Sequence, residues 1–158
     1  MSAARHSASF PGTIEGATDA SVWLRDVSAR EDLASDLTFA LELCLEELFT
    51  NVVRHGGSGQ WDEAVRSDLP NPLQVAVTVV AERDLVFLVI EDNGLPFDVT
   101  TAPARPIEAP LEEVTPGGLG LQLVRSFSRD LSYEAVPGGN RVRLSFERPQ
   151  MEGTKAVG

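Results

Sequence analysis

Apolar residues recur along this chain with two periods, and the points where the period changes divide it into elements. From about Ser35 to His55, the residues Leu37, Leu41, Cys44, Leu45, Leu48 and Val52 repeat at three and four positions. That spacing predicts a core helix with one continuous apolar stripe, roughly 30 Å long at a rise of about 1.5 Å per residue. Earlier, Val22, Trp23 and Val27 stand at helical spacing in TDASVWLRDVSARE, with Thr18 and Asp19 as its capping residues. Ala8 to Thr13 reads as a short strand that Pro11 confines to an edge or an end. In LQVAVTVVAE, Leu73, Val75, Val77 and Val79 alternate onto one face. Leu85 to Asp92, LVFLVIED, is an unbroken apolar run, as expected of a strand covered on both faces. Arg83 and Asp84 supply the turn between these two strands. The helical period returns in LGLQLVRSFS, followed by strand LSYEAV, turn PGGN and strand RVRLSFE. In the last strand Val142, Leu144 and Phe146 face one way, and Arg141, Arg143 and Ser145 the other.

Two long stretches carry no period. Gly57 to Asn71 is bounded by glycine and proline, with one turn of helix suggested near Trp61 to Arg66. Leu95 to Pro116 holds five prolines. A loop of that length inside a compact domain is usually functional or disordered. The end, residues 148–158, has no core signal and reads as a flexible tail. The pattern predicts one α+β domain with its core at about residues 8–147. Its form is a two-layer sandwich: a mixed, mostly antiparallel sheet with helices on one face.

Composition narrows the function. The chain of 158 residues is 42% hydrophobic and 23% charged, ordinary for a globular protein. No apolar run approaches the roughly 20 residues a membrane helix needs. The opening MSAARHSASFPGT lacks a signal-peptide core, so a cytoplasmic location without membrane association is expected. Cys44 is the sole cysteine, which excludes an intrachain disulfide and a cysteine zinc cluster. A net charge of −11 argues against nucleic-acid binding and fits neutral or basic partners. The only lysine is Lys155, so no Walker-type phosphate loop exists, and there is no Gly-x-Gly-x-x-Gly either.

Three polar constellations interrupt the plan. Glu47, Asn51 and His55 stand at i, i+4 and i+8 on the long helix, a stripe beside the apolar one. It is either a solvated face or a carboxylate base followed by an amide ligand for a hard cation. Glu46 points about 100° away around the helix and is the weaker candidate. Asp92 leaves an apolar strand just before Gly94 in EDNGLPFD. It is either a turn starter or a carboxylate that accepts a hydrogen bond from a ligand, with Gly94 leaving room for a flat ring. Gly117, Gly118 and Gly120 precede a helical run. They are either a tight turn or a place where backbone N–H groups approach a phosphate at a helix start.

The three stretches EELFTNVVRHG, EDNGLPFD and GGLGLQLVRSFSRDLSYEAVPGGN resemble the N, G1 and G2 boxes of the GHKL ATPase superfamily. That superfamily includes gyrase, histidine kinases and MutL. The wording N-x-x-x-H-G, D-N-G-x-P-F-D and G-G-L-G-L-x-L-V is similar to the anti-sigma-factor serine/threonine kinase branch, as in RsbW and SpoIIAB, over about Phe10 to Glu147. The resemblance implies a Bergerat-type fold binding ATP with Mg²⁺. It implies Asn51 as metal ligand, Asp92 as acceptor from the adenine amino group, and Gly94 as space for the ring. Residues 95–116 would be the ATP lid, and Glu47 the general base. His55 and Pro96 fall inside the matched boxes as nucleotide-site residues, His55 serving equally as a helix-end residue. Gly117, Gly118, Leu119, Gly120 and Leu121 would bring backbone donors to the phosphates. Arg125 follows on the same helix as a further candidate for phosphate charge.

The chain departs from the family in the length of residues 57–71 and in a lid whose only cation is Arg105. The implied activity is a protein kinase that phosphorylates a STAS-type anti-sigma antagonist and sequesters a sigma factor or similar regulator, with homodimerisation common in the family. The alternative is a nucleotide-binding interaction module without kinase activity. An isolated histidine-kinase catalytic domain fits less well: no helix with a phospho-acceptor histidine precedes, and His6 stands in a start read as disordered.

Overall fold

The long helix sets the geometry of everything near it. The computed structural model describes residues 3–55, 72–101 and 124–149. In chain order these form β1 (Ala4–Pro11), α1 (Ile14–Arg30), α2 (Ser35–His55), β2 (Gln74–Ala81), β3 (Leu85–Asp92), a 3₁₀ turn (Val99–Thr101), β4 (Asp130–Val136) and β5 (Gly139–Glu147). The strands make one open sheet in the order β1-β2-β3-β5-β4, and every neighbouring pair is antiparallel. Alternate strand residues enter the core: Val75, Val77 and Val79 from β2, Val86, Leu88 and Ile90 from β3, and Leu144 and Phe146 from β5. They meet Leu24 and Val27 of α1 and Leu41, Leu45, Leu48 and Phe49 of α2 in one apolar cluster. The architecture is α+β, an antiparallel sheet with helices on one face.

Helix α2 has the bounds its periodicity predicts, because its apolar repeat runs from Leu37 to Val52, about four turns. Helix α1 starts earlier than expected. Thr13, not Thr18 or Asp19, is its N-cap, and its hydroxyl accepts the Gly16 N–H at 3.0 Å. Thr18 is already inside the helix, bonding back to Ile14 O. Its buried face is Ala20, Leu24 and Val27, while Val22 is 58% exposed.

Three strand expectations also change. β1 begins at Ala4, so His6 lies in a strand, and its Nε2 meets Glu31 Oε1 at the end of α1 at 2.6 Å. β3 is buried on one face only. Leu85, Phe87 and Val89 are half-buried on the other, with the Arg143 guanidinium 4.4 Å from the Phe87 ring centroid. Cross-strand neighbours, and no second helical layer among the described residues, give that face its partial cover. Arg148, the first residue of the expected tail, is held in place. Its N–H bonds Asp84 O, Nη1 bonds Glu82 O and Nη2 bonds Glu31 O, each at 2.9 Å. Residues 57–71 and the tail beyond Pro149 lie outside the described residues.

Candidate functional site

Asn51 occupies a core-facing position of α2, three residues after Leu48 and seven after Cys44, both buried. It is 4% exposed, so a solvated face does not describe it. Its Nδ2 has no hydrogen-bond partner among the described residues. Leaving such a donor unpaired costs about 1–3 kcal/mol, a loss a ligand acceptor would remove.

Across the pocket stands Asp92, the last residue of β3. Leu48, Asn51, His55, Asp92, Phe97 and Asn140 are among the residues that line this space between α2 and the sheet. The two readings of the Asp-Asn-Gly turn are divided between neighbours. Asn93 serves the turn: its Oδ1 accepts the Gln74 N–H at 2.7 Å and its Nδ2 donates to Pro72 O at 3.0 Å. Asp92 is left for the pocket. Its Oδ1 accepts the Gly94 N–H at 2.9 Å and Asn140 Nδ2 at 3.0 Å. Burial pushes the Asp92 carboxyl above the usual carboxylate range, and these two donors oppose that rise.

Sequence reasoning missed Asn140. Read as the end of a PGGN turn, it is the second residue of β5, directly opposite Asp92, and is 3% exposed. The turn suits this placement. Gly138 takes φ 79°, and a Cβ at Gly139 would lie 1.8 Å from Asp92 O. The motif GGN was the available signal, since two glycines before a polar residue mark a close backbone approach.

The other expected residues separate by position. Glu47 is half-buried one turn before Asn51 and outside the pocket wall. Burial, and then the neighbouring Glu46, raises its carboxyl above the ordinary range, while Arg54 lowers it. Glu46 itself is exposed. His55 is exposed at the end of α2 and stacks on Phe97 at 4.3 Å between centroids and 11° between planes. Gly94 contributes its N–H to Asp92, and Pro96 is exposed in the following turn. Arg125 donates to Thr100 O at 2.8 Å, tying the helical residues 124–127 to the 3₁₀ turn. Gly117, Gly118, Leu119, Gly120, Leu121 and Arg105 lie outside the described residues. Cys44 takes no part: burial, then Glu47, pushes its thiol up to about 12.

The start of the expected lid is held in place. Val99 is buried, and Asn140 bonds both Leu95 O and Phe97 N–H. Residues 102–116 of that lid lie outside the described residues.

The donor set fits a nucleotide carrying its own cation. A buried amide offers one oxygen to a hard ion and one N–H pair to a phosphate oxygen. Among the described residues no three His, Cys, Asp or Glu side chains converge as a metal cage. No described helix is long and apolar enough to cross a membrane.

Comparison with known proteins gives the family. The family described as histidine kinase-like ATPase domain matches residues 10–146. The serine/threonine-protein kinase BtrW of Bordetella bronchiseptica is 34% identical over 133 residues, covering 84% of this chain and 87% of that protein. The crystal structure of the RsbU and RsbW domains of Rv1364c from Mycobacterium tuberculosis superposes with a TM-score of 0.60 at 17% identity. That match covers 92% of this chain and 33% of the larger protein, and it is a likeness of fold. This chain therefore belongs to the histidine kinase-like ATPases of GHKL type, in the branch of the anti-sigma-factor serine/threonine kinases.

Proposed function

We propose that this serine/threonine kinase transfers the γ-phosphoryl group of ATP, bound with Mg²⁺, to a hydroxyl of a STAS-type anti-sigma antagonist. Phosphorylation of the antagonist switches the partners, and the kinase then sequesters a sigma factor or similar regulator. The observation that carries the nucleotide site is the meeting of a buried, unpaired Asn51 amide and the Asp92 carboxylate in one pocket, from elements far apart in the chain. The partners rest on the family resemblance, and the net charge of −11 suits a basic or neutral docking surface on them.

Asp92 would accept from the adenine amino group, and Asn51 would hold the metal. Mg²⁺ supplies charge neutralisation at the phosphates. Glu47 orients the incoming hydroxyl. As its oxygen forms a bond to the γ-phosphorus and the bond to the ADP oxygen breaks, the hydroxyl proton passes to the Glu47 carboxylate. The upward shift of Glu47 brings its basicity nearer neutral pH, where proton transfer is most effective.

Radiolabel transfer from ATP to purified STAS proteins tests this. Glu47→Gln should keep ATP binding and lose roughly 10²–10⁴-fold in transfer rate, and Glu46→Gln should change little. Asn51→Ala should lose the Mg²⁺-dependent part of ATP affinity in calorimetry. Tight binding of a STAS protein that is never labelled by wild type would establish the non-catalytic clamp instead.

A further inference from the structure

The Asn140 amide makes four hydrogen bonds. Nδ2 donates to Asp92 Oδ1 at 3.0 Å and to Leu95 O at 2.9 Å. Oδ1 accepts the Phe97 N–H at 3.0 Å and the Tyr133 hydroxyl. An asparagine amide has two donor hydrogens and two acceptor lone pairs, so this one is saturated. Its orientation is fixed by its partners. A carbonyl can only accept and a backbone N–H can only donate, so the amide cannot be flipped without breaking both loop contacts.

Two consequences follow from these bonds. Asp92 Oδ1 is occupied by Asn140 and Gly94, which leaves Oδ2 as the acceptor for a base. Phe97, whose N–H the same amide holds, lies against His55 beside the pocket. One side chain thus sets both the carboxylate and the ring next to it. We propose that Asn140 is a positioning residue for base selectivity, locking the Asp92 carboxylate and the root of the lid into one hydrogen-bonded unit. This rests on the ATP reading of the pocket. A carboxylate held in one orientation favours a purine with a 6-amino donor. It rejects a 6-oxo purine, whose oxygen would face a second acceptor without a proton between them. A carboxylate free to turn can move from the 6-position to accept the N1–H of a 6-oxo purine, and so discriminates less.

The test compares ATP and ITP by calorimetry in wild type, Asn140→Ala and Tyr133→Phe, with amide hydrogen exchange at Phe97 measured without nucleotide. Tyr133 does not line the pocket, so Tyr133→Phe loosens Asn140 and leaves the base contacts in place. Asn140→Ala should lower the ATP:ITP affinity ratio by about 10-fold and speed Phe97 exchange. Tyr133→Phe should move both readouts the same way by a smaller factor. Folding of each variant is read from unchanged exchange in the centres of β3 and β5. An unchanged ratio in folded Asn140→Ala overturns the proposal, and so do an unchanged ratio and unchanged Phe97 exchange in Tyr133→Phe if Asn140→Ala does not fold. Wild type that binds neither nucleotide would overturn the ATP reading itself, whereas ATP bound with an unaltered ratio would overturn only the role of Asn140.

Discussion

Asp92 sets binding against stability. Its folded-state carboxyl is raised above the ordinary range by burial, so between the unfolded and folded values the native state holds more protons. Stability therefore falls as pH rises through that window, and the loss is complete once pH has passed the folded value. Asp92→Asn keeps an oxygen for Gly94 and Asn140 and removes the buried charge. It should melt higher than wild type at neutral pH, by roughly 2–4 °C for each kcal/mol gained. Below the carboxylate range the two proteins should melt alike, and ATP binding should fall at neutral pH. Melting curves at the two pH values decide it, and an Asp92→Asn protein that melts lower at neutral pH would contradict the sign. Asn51 and Asp92 were legible in the sequence, Asn51 as part of a polar stripe at four-residue spacing and Asp92 as the end of an apolar strand, and they occur in the family's order. Asn140 was not. Its partners Phe97, Leu95 and Asp92 lie 43, 45 and 48 residues away, beyond any local pattern.

Elements were legible where the apolar signal is long and the side chains large. α2 satisfies both conditions. β1 satisfies neither: Ala4, His6, Ala8 and Phe10 alternate with Arg5, Ser7 and Ser9, and two of its four inward residues are alanine. The α1 start lies before Gly16, a poor helix former. The structure needs it there, since a Cβ would lie 1.8 Å from Pro11 O. The β4–β5 turn makes a sharper test, because its two glycines have different reasons. Gly138 has a positive φ and open space around it, so Gly138→Ala should cost about 1–2 kcal/mol of backbone strain and leave ATP affinity unchanged. Gly139 abuts the backbone of Asp92. Gly139→Ala should cost about 1–3 kcal/mol by overpacking and also weaken ATP binding, because β3 must move where its carboxylate is aimed. Denaturant unfolding and calorimetry on both variants separate strain from displacement. Equal ATP affinity in the two would remove Gly139 from the site.

At the scale of the molecule, recognition and fastening occupy opposite ends of the sheet. Asp92 pairs with Asn140 at one end, and Leu85 pairs with Glu147 at the other. Seven steps of strand at about 3.3 Å each put roughly 23 Å between them. The far end is closed by Arg148, which joins the β2–β3 hairpin, the exit of β5 and the C-terminal end of α1 through Glu82, Asp84 and Glu31. Glu31 in turn meets His6, so β1 is joined to the same knot. Arg148→Ala removes two charge-assisted bonds to carbonyls and should destabilise the fold by about 1–3 kcal/mol. Arg148→Lys should recover only part of this, since an ammonium on a flexible stem does not span two carbonyls as the planar guanidinium does. Neither change reaches the pocket, so ATP affinity and the ATP:ITP ratio should stay at wild-type values in both. Urea unfolding with parallel calorimetry checks the separation. A loss of nucleotide affinity in Arg148→Ala, at temperatures where it remains folded, would mean that the two ends are mechanically coupled through β3.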